Sequence, residues 1–256
     1  MAKVYWLSEA EWARIEPFMP RGRRGARRVD DRRIISGIVH MLRSGARWRD
    51  CPAVYGPYTT VYNRFNRWSR QGLWLQIFET LTGQSPIHGL AMIDSTHIKA
   101  HRSAGGAKGG PNLQALGQSR GGKTSKLHAL SDGQGRPRVL LLTAGNINDI
   151  SIARALLQRA GPVSRLLADR GYDANHLRRF LADQQAEAVI PSTTSRRQPI
   201  PYDTVAYRDR NRIERMWCRL KDWRRIATRY DKLARNFLSS AYLAAIFSCW
   251  TIESGP

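Results

Sequence analysis

The chain has 256 residues, of which 42 are Lys or Arg and 20 are Asp or Glu, a formal net charge of +22. A positive field of that size repels itself and suits a long anionic partner, nucleic acid first and an anionic membrane second. With 42% hydrophobic residues a packed core is affordable, while the dispersed Cys51, Cys218 and Cys249 exclude a disulfide framework or a cysteine metal site and fit a reducing cytoplasm.

Taken in chain order, the first eighty or so residues read as short helices. Ser8-Glu9-Ala10-Glu11 is a capping box, with Leu7 and Trp12 placed as its hydrophobic staple. A basic, glycine-containing loop at 21–28 follows, and then Asp30 or Asp31 caps a helix with Ile34, Ile35, Ile38, Val39 and Leu42 at helical spacing, stopped by Ser44-Gly45. Thr59 or Thr60 opens a third helix with Val61, Tyr62, Phe65 and Trp68 on one side and Asn63, Arg64, Asn66, Arg67 and Arg70 on the other. A fourth carries Trp74, Ile77, Phe78 and Leu81. An apolar inner face and an Arg/Asn outer face suit a helix-turn-helix, since Arg and Asn pair with guanine and adenine edges. A small bundle whose arginines face water fits the same pattern, and the overall charge favours DNA.

From Leu90 the pattern changes. Ala91-Met92-Ile93-Asp94 is an apolar run ending in an acid, continued by Ile98. The glycine-rich basic segment 102–123 reads as a mobile loop. Leu127 to Leu130 and Val139 to Thr143 are strand candidates, Asp149 caps a helix, and Leu166-Leu167-Ala168-Asp169 is a second apolar run ending in an acid. A helix over 175–184, with Asp173 as its cap, and a short strand at Ala188-Val189-Ile190 follow. Phe237 to Ile252, broken by Asn236, Ser239, Ser240 and Ser248, is too short and polar to span a bilayer and reads as a core helix. A hairpin-started sheet followed by alternating helices and strands is an α/β (α+β) pattern, the order of an RNase H-like core with a mixed sheet flanked by helices. The expected division is a small all-α, helix-turn-helix-like domain over 1–85 and a catalytic domain over 86–256.

Asp94 and Asp169 sit where strands end, which is where α/β sheets place reacting groups. A third acid, Glu214, lies in a helix dense with arginine. Three carboxylates converging from separate elements need a cation between them. Oxygen donors select Mg²⁺, with Mn²⁺ as a substitute, and two such ions clamp an in-line phosphoryl displacement. On a helical wheel of about 100° per residue, Tyr207, Arg210, Glu214 and Lys221 fall within a stripe of about 60°. Ile213, Met216, Trp217 and Leu220 form an adjoining apolar face, and Arg208, Arg212, Arg215 and Arg219 a wholly basic one. The wheel assumes that the helix already runs at Tyr207. Singly, each acid is more often a cap or a surface ion pair. His97 and His101 fit a structural or DNA-facing role better than a metal site. Trp12, Trp48, Trp68, Trp217 and Trp250 read mostly as core anchors, and Trp223 as a candidate stacking platform for a flipped base.

The Tyr-x2-Arg-x3-Glu-x6-Lys spacing resembles the signature of bacterial insertion-sequence DDE transposases. Ile93-Asp94-Ser95-Thr96 is similar to that family's first-aspartate motif and Ala168-Asp169-Arg170-Gly171-Tyr172-Asp173 to its second. Trp48-Arg49-Asp50-Cys51-Pro52 with Thr60-Val61-Tyr62-Asn63-Arg64-Phe65 resembles the helical domain of one subgroup, and Cys51 departs from the leucine common there. The resemblance covers nearly the whole chain, in the expected order. It implies a triad of Asp94, Asp169 and Glu214 holding two metal ions, with Arg210 and Lys221 on phosphate at the element end and Tyr207 positioning the DNA. Arg212, Arg215, Arg219, Asn63, Arg64 and Arg67 are the further expected DNA contacts. It also implies double-stranded DNA as partner, a dimer or larger assembly on DNA, and a cytoplasmic, nucleoid-associated protein. A nuclease of the same fold that cuts without joining, or a DNA-binding regulator with a retired core, are the alternatives.

Overall fold

Helix α1 (Glu9–Ile15) starts at the expected capping box: the Glu11 N–H donates to Ser8 Oγ (3.2 Å) and the Ser8 N–H to Glu11 Oε2 (2.8 Å). The protein is seen here as a computed structural model describing residues 4–20, 30–83, 87, 89–107 and 109–251; the basic run 21–28 lies outside the described residues. The Asp30 carboxylate accepts from the Arg32 and Arg33 N–H groups to open α2 (Asp31–Ser44), and Gly45, at φ 72°, closes it. Helix α3 (Tyr58–Arg70) begins after Pro57 with no side-chain cap, so Thr59 and Thr60 lie inside it. Helix α4 is Leu73–Gly83.

The sheet starts with β1 (Leu90–Ala100), followed by α5 (Gly110–Leu113), β2 (Gly117–Ser119), β3 (Gly122–Asp132) and β4 (Pro137–Ala144). Helices α6 (Ile150–Ala160) and α7 (Asn175–Asp183) cross over to β5 (Arg165–Leu167) and β6 (Glu187–Val189). Strand β1 pairs antiparallel with β3, and β3 with β4, whereas β5 runs parallel to β1 and β6 parallel to β5. Three antiparallel strands extended by two parallel ones reached through helices are the sheet order of an RNase H-like core.

Alternation along β1 separates two layers. Ala91 and Ile93 face α6 and α7 in one cluster with Leu156, Leu166 and Leu177. Met92 and Ile98 face the other layer, built from α8 (Thr204–Tyr207), α9 (Asn211–Lys221), α10 (Arg224–Ala227) and α11 (Ala234–Ala245), while β7 (Thr228–Arg229) joins the sheet parallel to the end of β1. The N-terminal helices join this second layer. Phe65, Trp68, Trp74 and Phe78 share one buried cluster with Phe237, Tyr242 and Phe247, and the Phe78 and Tyr242 rings lie 5.1 Å apart. Each such side chain contributes about 1.5–3 kcal/mol by burial, so the segments on either side of residue 85 hold each other in place. The Phe237 to Trp250 stretch is a buried core helix ending in a π turn, and among the described residues no helix is long and apolar enough to cross a membrane.

Three local expectations change. The described residues of segment 102–123 are folded: they contain α5 and β2, bury Ala104 and Leu116, and are tied down through Ala115 O, which accepts from Ser125 Oγ (2.6 Å) and Arg229 Nη1 (3.3 Å). Asp173 does not cap α7; its buried carboxylate takes Arg178 (2.8 Å), Arg196 (2.9 Å) and the Thr193 N–H (2.8 Å), pinning the loop after β6. Burial alone would raise its pKa, but these donors hold it well below the usual carboxylate range. Asp149 stands at the N-cap of α6 without a capping bond, its carboxylate drawn instead to Ser95 Oγ (2.7 Å) and Lys126 Nζ (3.0 Å).

Candidate active site

Strand register brings the first two acids together. Met92 on β1 pairs with Leu167 on the parallel β5, so the residues two further along each chain, Asp94 and Asp169, stand side by side on the same face. Asp169 leaves the strand into a 3₁₀ turn (Arg170–Tyr172), where its Oδ1 accepts from the Gly171 N–H at 2.8 Å. A Cβ at position 171 would lie 2.9 Å from that oxygen, which is why the turn carries glycine.

The third acid arrives on α9. The chain is helical from Thr204, tightens into a 3₁₀ turn at Arg208–Arg210 and continues as α9, so Tyr207 belongs to the helical run with one overwound turn inside it. Ile213, Met216, Trp217 and Leu220 are buried against the sheet, which turns Arg210 and Glu214 towards the two aspartates. Behind this helix, Gly135 (φ +73°) lets the β3–β4 turn approach the α9 backbone: an added Cβ would sit 2.7 Å from Arg212 O.

The guanidinium of Arg210 is the meeting point. It lies 3.2 Å from Asp94 Oδ1, 3.9 Å from Asp169 Oδ2 and 2.6 Å from Glu214 Oε1. Burial pushes the Asp94 pKa up, against the pull of Arg210, and the adjacent Asp169 charge pushes the same way. Burial works against the Arg210 charge too, but the surrounding carboxylates outweigh it and raise its pKa. Asp94 and Arg210 are mostly buried, while Glu214 is 58% exposed, on the open side of the cluster. Among the described residues no three acidic, histidine or cysteine side chains close on a single ion position; the guanidinium stands between these three. An oxygen-only donor set already gathered round a cation fits a hard divalent ion.

Two further groups fix this arrangement. Trp217 Nε1 donates to Asp94 Oδ2 (3.1 Å), and Lys221 Nζ donates to Thr96 Oγ1 (2.6 Å). Trp217, expected only as a core anchor, therefore also orients the first acid. Its position one turn beyond Glu214 on the same helix was the signal for this, because an indole is apolar in body and polar at one edge.

The expected DNA contacts divide. Asn63, Arg67 and Arg215 are exposed; Arg215 Nη2 donates to Asn211 Oδ1 (2.8 Å), and Tyr207 packs edge-on to Tyr202 at 5.5 Å. Arg64, in contrast, is paired with Asp31 (3.0 Å) and lies over Trp68. Arg212 donates to Gly133 O and pairs with Asp209 (3.0 Å), and Arg219 donates to Gly135 O (3.1 Å). These three serve internal partners. Trp223 is buried, donates to Ser248 (3.0 Å) and stacks on Phe247, so it offers no face to a base. His97 Nε2 meets Gly145 O (3.2 Å), and His101 meets Ser103 and stacks near Tyr230.

Residues 86–248 match the family model described as "Transposase DDE domain", and residues 7–78 match "Putative transposase of IS4/5 family". The chain belongs to the DDE transposase family. The family's activity is DNA strand cleavage and strand transfer with divalent metal ions. The transposase is 37% identical to "Putative transposase for insertion sequence element IS6501" of Brucella ovis, over 47% of this chain and 94% of the relative. It is 29% identical to "Putative transposase for insertion sequence element IS402" of Burkholderia cepacia, over 58% of this chain and 72% of the relative. Of solved structures, the piggyBac transposase synaptic complex with hairpin DNA aligns at TM-score 0.39 and 14% identity over 75% of this chain, which spans about half (48%) of the piggyBac chain. The Mos1 strand transfer complex aligns at TM-score 0.28 and 13% identity, over 79% and 82% of the two chains.

Proposed function

We propose that Asp94, Asp169 and Glu214 are the catalytic triad of an insertion-sequence transposase and hold its Mg²⁺ ions, with Mn²⁺ as a substitute. The observation that carries this reading is that carboxylates from β1, the β5 turn and α9 reach one guanidinium. Three acids from separate elements around one cation are costly unless the site exists to hold positive charge. A divalent ion there would supply an activated oxygen nucleophile and charge neutralisation of the phosphate under attack.

The chain's own residues do the rest. Trp217 holds one oxygen of Asp94 in a fixed direction, which orients that carboxylate for its ion. Tyr207 and Arg210 flank the acids and bind the phosphates of the element end, while Lys221, tied to Thr96, keeps α9 in register with β1. The exposed Asn63, Arg67 and Arg215 engage the terminal inverted repeats and flanking backbone. Two element ends call for at least two copies on DNA, and a chromosomal substrate places the protein in the cytoplasm, at the nucleoid. The test is incubation with supercoiled plasmid carrying the DNA that flanks the reading frame, with Mg²⁺ or Mn²⁺, followed by mapping of 3′ ends. Metal-dependent cuts at the element ends, reduced by about 10³-fold or more in Asp94→Ala, Asp169→Ala and Glu214→Ala, are expected. Cuts that survive these substitutions would place the active site elsewhere.

A further inference from the structure

We infer that Arg210 competes with the catalytic metal for the three carboxylates and gives them up to bind a DNA phosphate, so that metal loading and DNA engagement are coupled through this one side chain. The inference rests on the reading of Asp94, Asp169 and Glu214 as metal ligands.

Two independent observations carry it. The first is position: Arg210 is in contact with all three acids at once, at 3.2, 3.9 and 2.6 Å. A divalent ion that takes those oxygens must share them with, or take them from, a guanidinium that is mostly buried. The guanidinium occupies the oxygens that face the space between the acids, so an ion seated there displaces it from at least part of that set. The second is an unmet donor. Arg210 Nε is buried and has no hydrogen-bond partner, although Nη1 and Nη2 are both engaged. A buried guanidinium N–H without an acceptor is costly. Guanidinium forks match phosphate oxygens in geometry, so a backbone phosphate at the mouth of the site would supply the missing acceptor.

Location favours such an exchange. Arg210 is the last residue of the 3₁₀ turn that precedes α9, where a small backbone adjustment swings a long side chain without disturbing the buried face of the helix. The neighbouring cations Lys221 and Arg212 are held elsewhere, by Thr96 and by the β3–β4 turn. Linkage then requires reciprocity: if DNA removes Arg210 from the acids and so tightens metal binding, metal tightens DNA binding by the same factor. The transposase thereby keeps its acids neutralised, and poorly loaded with metal, until a DNA end arrives.

The experiment is Mn²⁺ binding to the full chain, followed by the paramagnetic resonance of the free ion, with and without a duplex copied from the DNA flanking the reading frame. Arg210→Ala is expected to bind Mn²⁺ about tenfold more tightly than wild type without DNA, within the range usual for coupled sites. The duplex is expected to tighten Mn²⁺ binding by wild type and to leave Arg210→Ala unchanged. If circular dichroism shows that Arg210→Ala does not fold, Arg210→Gln is read by the same criteria. Asp94→Ala serves as the separate control and should weaken Mn²⁺ binding. If Asp94→Ala leaves it unaltered, the triad reading fails and the inference with it. If Asp94→Ala weakens it but the Arg210 variants bind Mn²⁺ no better than wild type, or DNA acts equally on both, the triad stands and the competition is refuted.

Discussion

Helices α3 and α9 are alike in composition and opposite in use. Each buries an apolar stripe and carries arginines on its remaining surface. On α3, Asn63, Arg67 and Arg70 are exposed, and Arg64 alone is drawn inward to Asp31. On and just before α9 most of the cations donate to groups of the protein itself. Arg210 goes to the acids, Arg212 and Arg219 to carbonyls of the β3–β4 turn, and Lys221 to Thr96. Arg208, Arg215 and Arg219 remain exposed. The difference teaches that a basic helix face is not in itself a phosphate-binding face. What decides is which acceptors the neighbouring elements present, and α9 lies against the strand and turn that supply them.

The sharpest way to probe this comparison on the α9 side is Trp217→Phe. It keeps the buried ring and removes only the bond to Asp94 Oδ2. The expected result is a 10–100-fold loss in cleavage rate, typical of groups that orient a metal ligand, with a thermal midpoint close to wild type. An unchanged rate would reduce Trp217 to packing.

A pair of substitutions then sets the two helices against each other. Arg67→Ala should weaken DNA binding and lower the slope of log affinity against log salt by about one, the effect of one lost phosphate contact, without changing stability. Arg219→Ala should do the reverse, lowering the thermal midpoint by removing the bond to Gly135 O while leaving the salt slope unaltered. Equal slopes for both variants would erase the distinction.

The smallest effect concerns the opposite face of the sheet, behind Asp94. His128 is buried there against Thr143, near Asp149, Lys126 and His97, and burial lowers its pKa to about 4. Unfolded, its pKa is about 6.5. Between those values the unfolded chain binds a proton that the folded chain refuses, so this group's contribution to stability is full above about 6.5 and is lost as pH falls towards 4. Acid titration of the thermal midpoint should therefore be flatter over that interval in His128→Gln than in wild type. Parallel curves would mean that His128 is not held neutral.

Much of this was legible in the sequence because it is local. The Ser8 capping box, the Asp30 cap and the Gly45 stop need only neighbouring residues, and the strand order follows from apolar runs and turn residues. The wheel that put Arg210 and Glu214 on one stripe gave their direction but not what lay opposite. Thus Arg210 read as a phosphate binder, with no sign that acids on β1 and after β5 also hold it. For the same reason nothing at positions 212 and 219 marks the carbonyls of Gly133 and Gly135 to which those arginines donate. Segment 102–123 read as a mobile loop because what fastens it, Arg229 on β7, lies more than a hundred residues downstream. Asp149 read as a cap because Ser95 and Lys126, which claim it, come from other strands.

That three acids form one metal seat is checked by replacing the catalytic ion with Fe²⁺, adding hydrogen peroxide as oxidant and ascorbate to return the iron to Fe²⁺, and mapping where the polypeptide is cut by the hydroxyl radicals formed at the ion. Scission is expected at three separate places in the chain, next to Asp94, Asp169 and Glu214, suppressed by excess Mg²⁺ and absent in Asp94→Ala. Scission concentrated elsewhere, or unaffected by Asp94→Ala, would contradict it.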